Sequence, residues 1–113
     1  MAKFNVVRED REAVTILNLD GELDAHTAPD FESALETLVR ESRYKIIVSM
    51  KGLEYLSSAG LNVFLGFVDE VRGQNGDIKI SQTSPRVYKV FDWVGYTQLY
   101  EFYNTNEEAA ESF

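Results

Sequence analysis

Apolar residues recur along this chain with two alternating periods, one of two residues and one of three to four, and the alternation predicts its elements. Phe4 to Glu9 and Ala13 to Asp20 read as strands joined by the charged turn Asp10-Arg11-Glu12, hence a β-hairpin. In the second strand Val14, Ile16 and Asn18 share one face, and Thr15, Leu17 and Leu19 the other. Thr27-Ala28-Pro29-Asp30 then reads as a helix start, with Thr27 as cap, Pro29 in the first turn and Asp30 closing a capping box. Phe31, Leu35, Leu38 and Val39 follow as a stripe of helical spacing. Lys45 to Met50 is a short apolar run of the kind a central buried strand carries, and Lys51 to Leu56 reads as the loop after it.

Helical spacing returns from Ala59 to Arg72, with Leu61, Phe64, Leu65 and Val68 on the face expected to be core. Gly73-Gln74-Asn75-Gly76 ends that helix, and Asp77 to Ser81 reads as another strand. Ser84 as cap and Pro85 as first residue open a third helix, with the stripe Val87, Val90, Phe91 and Val94, and Gly95 stops it. Gln98 to Tyr103 reads as a last strand, and Asn106 as the cap of a short acidic helix, Glu107 to Phe113. The order β-β-α-β-α-β-α-β-α implies crossover units, and the opening hairpin makes the sheet mixed. We expect one α/β domain over residues 1–113, since no repeat, low-complexity tract or Pro/Ser-rich linker divides the chain.

Composition narrows the function more by exclusion than by suggestion. The 113 residues are 44% hydrophobic and 27% charged, ordinary for a globular chain that builds its own core. There is no Cys, which removes disulfides, thiolate metal sites and cysteine nucleophiles together. Eleven basic against 19 acidic residues give a net charge of −8, a field that repels phosphate backbones and argues against nucleic acid as partner. No apolar run approaches a membrane span, and the first ten residues, MAKFNVVRED, do not resemble a signal peptide, so the expected location is cytoplasmic with no membrane partner. There is no P-loop and no dinucleotide fingerprint, so no cofactor is expected.

The stretch Leu53-Glu54-Tyr55-Leu56-Ser57-Ser58-Ala59-Gly60-Leu61 is where the pattern breaks. Ser and Gly suit neither a buried strand nor a helix interior, so the pair marks a boundary between the central strand and the second helix. One reading is structural: the first amides of a helix lack partners, and either Ser57 or Ser58 could cap them. The other uses the same geometry chemically. A helix start favours an anion, so a phosphate on Ser57 or Ser58 would be tolerated by the fold while adding about two negative charges and three acceptor oxygens to the surface.

Three segments, DGELDAHTAPDF (Asp20 to Phe31), LEYLSSAGLNVFLGF (Leu53 to Phe67) and TSPRVYKVFDWVGYTQLYEFY (Thr83 to Tyr103), together resemble the STAS domain, and within it the bacterial anti-sigma-factor antagonists. The resemblance covers nearly the whole chain in the family's order. It implies a binding module rather than an enzyme: unphosphorylated, it captures a GHKL-type serine kinase that is also the anti-sigma factor; phosphorylated, it lets go, and a PP2C-type phosphatase resets it. The family's acceptor, two residues before the Gly of an Asp-Ser-Ser-Gly or Asp-Ser-Thr-Gly motif, corresponds to Ser58, with Gly60 as the Gly and Ala59 in place of the second hydroxyl. Ser57 stands where the family often has Asp, which leaves it as an alternative acceptor, and Ser49 stands where an acidic or amide residue is common. Asp24 matches the acidic residue of the Gly-Glu-Leu-Asp loop that lies near the acceptor; a turn Asp bonding its own backbone is the plainer reading. The resemblance equally admits a STAS domain that is a non-phosphorylated structural subunit of a signalling assembly or a lipid-transport complex.

On a helical wheel, Ala59, Val63 and Gly66 point away from the expected core, with Phe67 at the border. The expected partner surface is therefore Asp24, Ser57, Ser58, Ala59, Gly60, Val63 and Phe67, unless Val63 and Phe67 pack under a neighbouring helix. His26 is the only histidine and has no companions for a metal site or a nucleophile, so it reads as a loop residue, and no catalytic or metal-binding residue is assigned. Trp93, near a helix end, reads as a packing residue.

Overall fold

The computed structural model of the chain describes residues 4–113. Its elements are β1 (Phe4–Arg11), β2 (Val14–Leu23), α1 (Ala28–Arg40), β3 (Lys45–Leu56), α2 (Ser58–Gly73), β4 (Asp77–Ser81), α3 (Pro85–Trp93), a 3₁₀ turn (Tyr96–Gln98), β5 (Phe102–Tyr103) and α4 (Asn106–Glu111). The five strands form one sheet in the order β1-β2-β3-β4-β5. β1 and β2 pair antiparallel as a hairpin, and β2-β3, β3-β4 and β4-β5 pair parallel. The predicted mixed sheet and strand-helix order are what the structure shows.

Each parallel pair needs a crossover, and α1, α2 and α3 supply them from one side of the sheet. Their apolar stripes close on Leu17, Leu19, Ile46, Val48, Met50, Ile78 and Ile80. Phe64 of α2 sits at the centre, edge-on to Phe31 of α1 at 5.0 Å and to Phe91 of α3 at 5.7 Å. The alternate strand residues Val14, Ile16 and Ile47 face the other way and are covered by α4 through Ala109. Lys79 points to this side as well. It is only 5% exposed, and its ammonium donates to Glu101 Oε1 (3.0 Å) and to Ser112 Oγ (2.7 Å), under the ring of Phe113.

Several boundaries differ from the sequence reading. Lys51 to Leu56 is strand, not loop: β3 continues to Leu56 because β2 itself continues through Gly21, Glu22 and Leu23, paired with Leu53, Tyr55 and Leu56. The pairing slips between Asn18 and Asp20 and again between Gly21 and Glu22, which masks the period of two, and Gly21 takes φ +95° at the slip. The last strand shrinks to Phe102–Tyr103, since the 3₁₀ turn takes up residues 96–98. α4 is capped by Thr105, whose hydroxyl accepts from the Glu108 amide, rather than by Asn106. Ser84, by contrast, caps α3 as expected, and Gly95 ends it in the left-handed region.

Candidate functional site

Parallel pairing of β2 with β3 brings Asp24 and Ser58 to the same edge of the sheet. The two strands end together at Leu23 and Leu56, and the Ser57 amide donates to the Leu23 carbonyl at 2.9 Å. That bond ties the entrance of α2 to the loop carrying Asp24. Ligand sites in such sheets lie beyond the carboxyl ends of the strands, where loops and helix starts converge.

Ser57 occupies the N-cap position of α2 with extended backbone, yet its hydroxyl makes no capping bond. It is turned inward, and its Oγ is buried without a hydrogen-bond partner. Ser58, the first helical residue, is exposed. The two hydroxyls that the sequence leaves equivalent are thus separated by the fold, one under the surface and one on it. The first amides of an α-helix have no intrahelical acceptor, and none is satisfied by Ser57, so the end of α2 offers donors beside Ser58. No acidic side chain stands in that first turn.

Gly60 is required by packing. A β-carbon there would lie 2.7 Å from Leu23 Cγ and 2.8 Å from Leu56 Cδ1, so the helix start presses directly onto the ends of both strands. Asp24 is held by a local network. Its Oδ1 accepts from the amides of His26 (2.9 Å) and Thr27 (3.1 Å), and its own amide donates to Thr27 Oγ1 (2.9 Å). Thr27 in turn donates to the Glu22 carbonyl at 2.8 Å. Thr27 therefore serves the loop and not the cap: it precedes α1 with helical backbone and no capping bond, so the expected capping box with Asp30 does not form. Desolvation works against the charge on Asp24, but the Thr27 and His26 amides outweigh it and hold the carboxyl below the usual carboxylate range.

The helix face needs a correction. Val63 does not point outward: it is 8% exposed and belongs to the main core. α2 lies on the sheet with α1 and α3 in contact with its Phe64, so its buried arc exceeds half a turn and takes in Gly60, Leu61, Val63, Phe64, Val68 and Val71. Phe67 is half-buried against the same core. Leu65, expected inside, is instead 36% exposed. The solvent face of α2 is Ser58, Asn62, Leu65, Gly66 and Asp69, which follow helical spacing. Tyr55, half exposed at the end of β3, adds an aromatic ring close in sequence to Ser58. Sequence reasoning missed Leu65, Asn62 and Tyr55, because their exposure depends on which neighbours flank α2 and on where β3 stops. Ser49, earlier on β3, is buried and donates to Gln82 Oε1 at 2.9 Å. Among the described residues no three His, Asp or Glu side chains gather as a metal site, and no helix is long and apolar enough to cross a membrane.

The sequence matches the family model of the STAS domain over residues 5–109. It is 28% identical over 107 residues to the anti-sigma F factor antagonist of Paenibacillus polymyxa, covering 94% of this chain and 92% of that one. It is 30% identical over 92 residues to the anti-sigma-B factor antagonist of Bacillus subtilis, covering 81% and 84%. Among solved structures, an anti-sigma factor antagonist from Mycobacterium paratuberculosis superposes with a TM-score of 0.88 at 22% identity over 97% of this chain and 93% of that one. The anti-sigma factor antagonist SpoIIAA in its unphosphorylated form gives 0.82 at 25% identity over 97% and 95%.

Proposed function

The chain belongs to the STAS domain family, and on that premise we propose that it is an anti-sigma factor antagonist: a binding module, not an enzyme, switched by phosphorylation of Ser58. Unphosphorylated, it sequesters a GHKL-type serine kinase that doubles as the anti-sigma factor. That kinase transfers the γ-phosphoryl group of ATP to Ser58 Oγ; the hydroxyl proton passes to a base on the kinase, and ADP leaves. A PP2C-type phosphatase hydrolyses the ester and restores the binding form. What supports this most is the division of labour between the serines, with the Ser58 side chain offered to solvent and Ser57 Oγ buried beneath it.

The physics of the switch follows from place. The helix start solvates a phosphate on Ser58, so the domain stays folded. Leu65 lies on the same solvent face of α2 two turns further on, and a partner that covers this face down to Ser58 must strip water from two added charges. Asp24, Ser57 and Ala59 belong to this reading as the rim of the contact, Leu65 and Asn62 as its helical part, and Phe67 as its half-buried edge, while the buried Gly60 seats the helix start on Leu23 and Leu56. Val63 supports the surface from below.

A second reading, a STAS structural subunit of a signalling assembly or lipid-transport complex, is favoured by one observation. Asp24 Oδ1 is committed to the His26 and Thr27 amides, and Ser57 supplies no charge next to Ser58, so neither residue activates the hydroxyl. The two readings part in one experiment: capture from host lysate on wild type and Ser58→Asp, with phosphosite mapping after ATP is added. A kinase bound by wild type, lost from Ser58→Asp and leaving phosphate on Ser58 bears out the switch. Identical captures and no phosphate favour the structural subunit.

A further inference from the structure

Among the described residues, the largest exposed apolar side chain is far from Ser58. Trp93, expected to pack, is 78% exposed at the last residue of α3, next to Val94 at 48%. α3 follows β4, so it starts at the carboxyl edge near Ser84 and ends with Trp93 at the opposite edge. Val87 and Phe91 bury its inner side. Arg86, Lys89, Asp92 and Trp93 are all exposed and fall at i, i+3, i+6 and i+7, which is one outward face.

The cations on that face are left without an ion pair, as Arg40, Lys45 and Lys51 are elsewhere among the described residues. The ion pairs among the described residues use Arg8, Arg11, Arg43, Arg72 and Lys79; Arg86 and Lys89 are in none of them. A chain of net charge −8 repels its own copies over most of its surface, but here two cations outnumber the single Asp92. The order along the helix is also self-complementary. The cations occupy the first half of the face, and the acid and the indole the second. When two such helices lie antiparallel about a two-fold axis, Lys89 of each meets Asp92 and the Trp93 ring of the other. Parallel alignment would instead set cation against cation.

From this we infer that α3 is a homodimer surface, with a second copy of this chain as its occupant. The contact is isologous: Lys89 pairs with the Asp92 of the other copy on both sides of the two-fold axis, and Trp93 and Val94 are covered at the two flanks. The Ser58 edge stays open, so the inference does not rest on the switch.

Sedimentation equilibrium of the full chain from dilute to near-millimolar concentration tests it, with Trp93 emission followed in parallel, as the chain has one Trp. The expected results are twice the chain mass at high concentration and a blue shift as the dimer forms. Trp93→Ala should weaken the dimer about tenfold or more. Lys89→Glu should also weaken it, and Lys89→Glu with Asp92→Lys should restore it, because the swapped charges face each other again. A monomer throughout overturns the inference and leaves the face to another protein. A dimer indifferent to Trp93→Ala, or one the double exchange does not rescue, overturns it equally.

Discussion

Gly60 and Leu23 are packed so closely that the smallest side chain at position 60 would stand 2.7 Å from Leu23 Cγ. Leu23 is fully buried and immediately precedes Asp24, so what moves Leu23 moves the Asp24 loop. Gly60→Ala is therefore expected to cost about 1–3 kcal/mol, the usual range for overpacking, even though Ala is the better helix former. Urea unfolding measures the loss. Partner binding should weaken with it, since helix start and loop are pushed apart.

Ser57 and Ser58 should respond differently to the same change to Asp. Ser57→Ala removes a hydroxyl that caps nothing and has no partner, so stability should stay within about 0.5 kcal/mol, against the ~1 kcal/mol of a working cap. Ser57→Asp leaves the Ser58 hydroxyl in place and sets a carboxylate at the N-cap of α2, where the free first-turn amides can receive it, so it should keep the melting temperature within a few degrees and spare partner capture. Ser58→Asp, on the surface at a helix start, should also leave the melting temperature within a few degrees but abolish partner capture. Thermal melts of the three variants beside one binding assay decide it.

Two residues of α2 separate surface from core. Leu65→Glu should keep the fold and weaken partner binding. Val63→Glu buries an unpaired charge in the main cluster and should cost on the order of 4 kcal/mol. Were Val63 the surface residue, circular dichroism melts would show the reverse ranking.

The far side of the sheet supplies a pH dependence. The Tyr103 hydroxyl and the Lys79 ammonium hold the Glu101 carboxyl below its ordinary value. The folded form thus favours the ionised group, and the stabilisation is complete above the unfolded pKa of about 4.3 and is lost as pH falls through the lower folded value. Glu101→Gln should be less stable than wild type near neutrality. The gap should close below about pH 4, as followed by urea midpoints across the range.

Much of the fold was legible because helix stripes and end signals are local. Phe31, Leu35 and Leu38, the Ser84-Pro85 start and the Gly95 stop all need only a few neighbouring residues, and the structure places them as read. The candidate site was legible in position and less so in orientation. Ser57 and Ser58 differ only in which one the β2-β3 ends draw inward, and Val63 and Leu65 differ only in how widely α2 is flanked. Both depend on partners far along the chain. The β3 extension was hidden for the same reason, since it is upheld by pairing with a slipped β2 and not by its own alternation.

The bond from Ser57 to Leu23 has a consequence for the order in which the molecule assembles. Strands joined by a crossover meet only after the intervening chain has been gathered in, and such non-local pairings form slowly. The Ser58 surface therefore comes into being with the closure of the parallel sheet, not with the nucleation of α2. A nascent or damaged chain can hold a helix at residues 58–73 and still present no Asp24 loop beside it. Amide exchange at Ser57 would report that closure directly, and whatever reads Ser58 in its folded setting reads, in the same act, that β2 and β3 have come together.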